Sequence, residues 1–227
     1  MTSQIYFILD RSGSMHNFVE DTLGGFNSFI SNQKKDNTDG VMSLFLFNDS
    51  VTSVYKNKSI KDVEKLNSET YFPAGTTSLC DAIGTTIKYA DTQSGKGCDK
   101  IIVILTDGDD NTSKNYTRNH INDLISIKKK EGWQFVFLAA NQDAINTATQ
   151  YGIGNGAAMT FDQAHTEDTF ECLSAAIGRQ VTGESQDVEF TGLERMKSCP
   201  PAACSPVSSA DVFTGVMHES VIGLGRC

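Results

Sequence analysis

Ile5-Tyr6-Phe7-Ile8-Leu9-Asp10-Arg11-Ser12-Gly13-Ser14 changes character halfway along. Its first half is apolar without alternation and too short for a helix, which is the pattern of a strand buried on both faces. Its second half supplies a carboxylate and two hydroxyls where that strand ends. The runs Ile101-Ile102-Val103-Ile104-Leu105 and Phe135-Val136-Phe137-Leu138-Ala139 read the same way, so a central parallel sheet is expected. Between them lie helical patterns. Val19, Leu23, Phe26 and Ile30 share one helical face, with Asn17 and Glu20 spaced as a capping box. Ser78 and Asp81 suggest a second box, before a stripe of Leu79, Ala82, Ile83, Ile87 and Ala90. Further helices are expected over about 119–130, 144–151 and 166–178, with a short strand near 158–161. Val41 to Phe47 and Val51 to Tyr55 flank the turn-forming Asn48-Asp49-Ser50 and read as an antiparallel hairpin at one sheet edge. The alternation of strand and helix predicts an α/β fold, a doubly wound and mostly parallel sheet with one antiparallel edge hairpin and right-handed crossovers.

The 227 residues, 39% of them hydrophobic, suffice for one such core with an appendage. Residues 1–182 are expected to form the domain. From about residue 183 the texture changes, since Pro200, Pro201 and Pro206 and three of the six cysteines fall there, and 183–227 reads as a C-terminal tail. Within it Val212, Phe213, Val216, Met217 and Val221 recur at helical spacing, with Asp211 and Glu219 off the stripe. A short amphipathic helix near 210–222 is expected, either docking on a partner or folding back on its own domain.

With 19 Lys and Arg against 28 Asp and Glu, the net charge of −9 opposes nucleic acid or an anionic membrane as partner. No apolar run approaches the ~18 residues of a membrane span. Met1-Thr2-Ser3-Gln4 leads into the first strand with no signal-like segment. Cys80, Cys98, Cys172, Cys199, Cys204 and Cys227 show no Cys-x2-Cys pair, so reduced thiols and a cytoplasmic location are expected.

In open α/β sheets ligands bind beyond the strand C-termini. Three segments should converge there: Asp10 to Ser14, the Gly75-Thr76-Thr77 loop and Thr106-Asp107-Gly108. Their hydroxyl and carboxylate oxygens are hard ligands, suited to Mg²⁺, Mn²⁺ or Ca²⁺. Mg²⁺ is the first choice. If the hydroxyls coordinate directly and the aspartates act mainly through water, the cation stays electrophilic and seeks an external carboxylate. Asp107-Gly108-Asp109-Asp110-Asn111 begins like an EF-hand loop. Thr112 then stands where Gly is required and Arg118 where a bidentate Glu is required, so Asp109 and Asp110 read as solvated loop charges.

On these residues the chain resembles the von Willebrand factor A domains. Their metal-ion-dependent adhesion site has the pattern Asp-x-Ser-x-Ser, a Thr in a Gly-x-Thr loop and a later Thr-Asp-Gly. The resemblance covers about residues 3–180 and is closest to stand-alone proteins of bacteria, phages and large DNA viruses, supported by Gly25-Phe26-Asn27, Asp81-Ala82-Ile83-Gly84 and Gly132 to Leu138. It implies a Rossmann-like fold and a metal site of Asp10, Ser12, Ser14, Thr77 and Asp107. Thr77 is preferred to Thr76 because it lies two after the glycine. It also implies a non-enzymatic module whose partner protein offers Asp or Glu to the metal. An alternative within the family is a structural component of a phage or viral particle or other large assembly, which would place the protein in a virion. A Mg²⁺-dependent phosphotransfer enzyme of the haloacid dehalogenase type is disfavoured, because Ser12 stands where such enzymes carry a second acid.

Overall fold

The structure is a computed structural model that describes residues 3–37, 39–93, 99–140 and 144–200. Strand β1 (Ser3–Asp10) is buried over its whole length. It pairs in parallel with β2 (Val41–Phe47) on one side and β4 (Asp99–Thr106) on the other. With β3 (Val51–Ser59), β5 (Gln134–Ala139) and β6 (Ala158–Thr160) the sheet runs β3-β2-β1-β4-β5-β6. Every pairing is parallel except β2 with β3, as the expected edge hairpin requires.

The period-2 geometry of β1 divides its side chains between two cores. Ile5, Phe7 and Leu9 face α1 (Val19–Asp36) and α5 (Thr166–Thr182). Tyr6 and Ile8 face α2 (Leu79–Thr92), α3 (Arg118–Lys130) and α4 (Ala144–Gln150). Phe7 meets Phe26 of α1 edge-on at 5.2 Å between ring centres and stacks on Phe170 of α5 at 6.1 Å. A β-carbon on Gly25 would come within 2.2 Å of the Phe170 ring, so the missing side chain lets α1 and α5 approach.

Both capping boxes differ from the expectation. A 3₁₀ turn, Gly13–Phe18, precedes α1, and the helix has Phe18 at its N-cap with no side-chain bond. Asn17 instead offers its carbonyl to Gln163 Nε2 at 2.6 Å. Ser78 sits at the N-cap of α2 without capping it and bonds Thr112 Oγ1 at 2.9 Å. The orphan Cys80 N–H donates to Asp110 Oδ1 at 3.0 Å. Asp81 accepts from the backbone N–H groups of Lys114, Asn115 and Tyr116. Partners 30 or more residues away have replaced the local box, and Asp110 is a helix cap rather than a solvated charge.

Past residue 182 the chain stays packed, beyond the boundary drawn from composition. Val188 and Phe190 join the α1/α5 core. Helix α6 (Gly192–Ser198) starts with a true capping box of Thr191 and Glu194, and Glu194 also binds Arg179 of α5 at 2.8 and 2.9 Å. Cys80 and Cys172 are free and buried. Cys199 is disulfide-bonded, contrary to the expectation of reduced thiols throughout. The amphipathic stripe near 210–222 lies outside the described residues. No helix among the described residues is long and apolar enough to cross a membrane.

Candidate metal centre

β1 and β4 end side by side, with Leu9 opposite Leu105. The chain continuing from each therefore delivers its polar residues to one place. Asp10 is 0% exposed. Its Oδ1 accepts from the Ser12 N–H at 2.7 Å and its Oδ2 from the Thr106 hydroxyl at 2.6 Å. Ser12 Oγ lies 3.1 Å from Ser14 Oγ, and Ser14 Oγ donates to Asp107 Oδ1 at 2.7 Å. Asp10, Ser12, Ser14 and Asp107 thus form one connected cluster.

The 75–77 loop closes over the same edge. Gly13 N–H donates to the Gly75 carbonyl at 3.0 Å and Ala74 N–H to the Arg11 carbonyl at 2.9 Å. Gly75 has φ +79°, and a β-carbon there would lie 2.0 Å from Asp49 Oδ2, so both backbone and space require glycine. Thr76 and Thr77 then diverge. The Thr76 hydroxyl is bound to Asp49 and lies 2.8 Å from Thr112 Oγ1. Thr77 is buried, and its hydroxyl lies 4.0 Å from where a Gly108 β-carbon would stand. Asn111 fixes its backbone from both sides, Oδ1 accepting from Thr77 N at 3.0 Å and N–H donating to Thr77 O at 2.9 Å. Thr77 is therefore the buried threonine of the pair, with its hydroxyl near Gly108, the residue after Asp107.

Burial raises the Asp10 carboxyl to about 6, against the lowering effect of its hydrogen bonds from Thr106 and Ser12, and nearby Asp107 pushes in the same direction. Asp107 is raised as well, first by burial. The closest basic residue in sequence, Arg11, turns away and donates to Thr52 Oγ1 at 3.2 Å. Among the described residues no group of three His, Cys, Asp or Glu side chains is placed to hold a metal. The donor set here is two carboxylates with hydroxyls, the combination that suits a hard cation.

One contributor escaped the sequence reading, and one residue within a segment read there takes a role not assigned to it. Tyr71 is buried and donates its hydroxyl to the Asp10 carbonyl at 2.7 Å. Thr106 orients the Asp10 carboxylate. Nothing in the aperiodic stretch around Tyr71 marks it. Thr106 belongs to the Thr106-Asp107-Gly108 segment expected at the site, and what the sequence did not assign is its bond to Asp10.

The sequence profile described as von Willebrand factor type A domain matches residues 4–174. No curated protein matches the chain. Among solved structures, it is similar to the PilB minor pilin from Streptococcus sanguinis, with TM-score 0.64 and 14% identity over 82% of this chain and 63% of that one. It is also similar to the pilus adhesin SpaC from Lactobacillus rhamnosus GG, with TM-score 0.62 and 14% identity over 79% and 31% of the two chains. The proximal thread matrix protein 1 from the mussel byssus, solved with a zinc-occupied MIDAS motif, gives TM-score 0.58 and 16% identity over 78% and 46%. The chain thus spans less than half the length of the byssus protein, and at these identities the likeness is one of fold.

Proposed function

Because this chain belongs to the von Willebrand factor type A domain family, a family of metal-dependent protein-interaction modules, we propose that Asp10, Ser12, Ser14, Thr77 and Asp107 hold one divalent cation and present it to an Asp or Glu of a partner protein. The observation that carries this reading is the buried Asp10 carboxylate, whose surroundings are hydroxyls, an N–H and a second carboxylate, with no cationic side chain among the causes that shift it. A buried carboxylate in that setting is costly until a cation neutralises it. When bound, the cation supplies Lewis acidity toward an incoming carboxylate oxygen.

The residues divide the work. Ser12, Ser14 and Thr77 offer neutral oxygens, so much of the cation's charge remains for an outside ligand. Tyr71 and Thr106 hold Asp10 in place. The Ser12 and Ser14 hydroxyls bond one another and Ser14 donates to Asp107, with no histidine among these partners, which supports binding over nucleophilic catalysis. Mg²⁺ is the preferred ion for an all-oxygen set, with Mn²⁺ or Ca²⁺ as alternatives. The zinc in the byssus protein makes Zn²⁺ a necessary comparison.

The test is binding of a short Glu-containing peptide, read by fluorescence anisotropy with Mg²⁺ or with EDTA. Binding that needs Mg²⁺ and fails both for a Gln-substituted peptide and for Asp107→Ala supports the reading. Equal binding in EDTA overturns it.

A further inference from the structure

From Tyr71 to Ser78 the chain is neither helix nor strand, so the position of Thr77 depends on what the polar groups around it meet. Three successive N–H groups donate to acceptors brought from elsewhere: Thr76 to Asp49 Oδ1 at 3.1 Å, Thr77 to Asn111 Oδ1 at 3.0 Å and Ser78 to the Asn48 carbonyl at 2.9 Å. The neighbouring groups follow the same pattern. Asn48 Nδ2 donates to the Ala74 carbonyl at 2.9 Å, Asn111 N–H donates to the Thr77 carbonyl at 2.9 Å, and the Thr76 hydroxyl is bound to Asp49.

These partners come from two loops. Asn48 and Asp49 form the tip of the β2-β3 hairpin, where Ser50 N–H donates to Asn48 Oδ1 at 3.2 Å. Asn111 lies between β4 and α3, four residues after Asp107. Thr112, next in the chain, braces the same segment, with its Oγ1 2.8 Å from Thr76 Oγ1 and 2.9 Å from Ser78 Oγ. A stretch with no regular structure of its own is thus clasped by the edge hairpin and by the loop that carries Asp107.

A hydroxyl is a neutral ligand, and it contributes to ion binding to the extent that it is held in place before the ion arrives. The demand differs between ions. Mg²⁺ requires near-ideal octahedral geometry, whereas Ca²⁺ accepts a larger and more flexible shell. Loosening a hydroxyl ligand therefore costs Mg²⁺ more than Ca²⁺, while removing a nearby charge costs both alike.

Resting on the metal reading above, we propose that Asp49 and Asn111 are positioning residues that clasp the Thr77 segment and so set the preference of the site for Mg²⁺ over Ca²⁺. Each acts through the threonine it holds, Asp49 through Thr76 and Asn111 through Thr77 itself.

The experiment titrates the metal-free full chain with Mg²⁺ and, separately, with Ca²⁺ by calorimetry, in wild type, Asp49→Ala, Asp49→Asn and Asn111→Ala, with thermal melting of each in EDTA. The two alanine variants should stay folded in EDTA, with melting temperatures lowered by no more than the few degrees that a lost hydrogen bond costs. They should bind Mg²⁺ about 10- to 100-fold more weakly and lose a smaller factor for Ca²⁺, so that the ratio of the two affinities falls. Asp49→Asn removes the charge but keeps an oxygen for the Thr76 N–H, and should bind both ions as wild type does. Equal losses for the two ions, unchanged Mg²⁺ affinity in either alanine variant, or Asp49→Asn as weak as Asp49→Ala overturns the proposal and leaves the metal reading standing. A wild type that binds neither ion overturns both.

Discussion

Asp10→Asn separates the stability of the domain from the use of its site. Burial lifts the Asp10 carboxyl from 3.8 to about 6. At about 1.4 kcal/mol per pH unit, holding this side chain ionised at neutral pH costs the metal-free fold about 3 kcal/mol. Asparagine removes the charge and keeps the contacts. Its carbonyl oxygen can still accept from Ser12 N–H, and its amide can donate to Thr106 Oγ1. The Thr106 hydroxyl then turns to the Gly108 carbonyl, already 3.0 Å away. Urea denaturation in EDTA at pH 7 should show Asp10→Asn more stable than wild type by up to about 3 kcal/mol. The folded carboxyl is raised, so its contribution is full below the unfolded value and lost as pH rises through about 6. The advantage of the variant should therefore shrink as pH falls and vanish below about 4, where wild-type Asp10 is protonated in both states. Mg²⁺ should raise the midpoint of wild type and leave the variant unmoved. A variant less stable than wild type in EDTA at pH 7 would refute the reasoning, because the carboxylate would then be stabilised by something other than a missing cation.

Three further substitutions test the construction of the site. Thr77→Ala should abolish Mg²⁺ binding while Thr76→Ala leaves it, read by calorimetry, and the opposite result would reassign the ligand. Tyr71→Phe strands a buried carbonyl of Asp10 and should cost about 1–3 kcal/mol in urea denaturation. Asp110→Ala uncaps α2 and should cost about 0.5–2 kcal/mol, with a melting temperature equal to wild type counting against the cap.

Much of the fold was legible because burial leaves a pattern. The runs at 5–9, 101–105 and 135–139 lack alternation since helices cover both faces of the sheet, and the stripes of α1 and α2 mark the faces that do so. What escaped depends on distant partners. Asp110 looks like a loop charge until the chain folds and sets it against Cys80 N–H. Asn17 and Glu20 have the spacing of a box, yet the turn that carries Ser12 and Ser14 to the cluster takes the place of the helix start. Val188 and Phe190 are two isolated apolar residues in a polar stretch, with no period to reveal that they complete a core. In the site, Asp10, Ser12, Ser14 and Asp107 could be brought together from strand ends alone. The choice between Thr76 and Thr77 rested on spacing, and in the structure the Thr76 hydroxyl is bound to Asp49.

Calorimetric titration of the metal-free full chain with Mg²⁺, beside Asp10→Ala and Asp107→Ala variants checked for folding by circular dichroism, tests the central claim most directly. The account predicts one site per chain in the wild type and none in either variant. Unchanged binding in both variants, or no binding of Mg²⁺, Mn²⁺, Ca²⁺ or Zn²⁺ by the wild type, would contradict it.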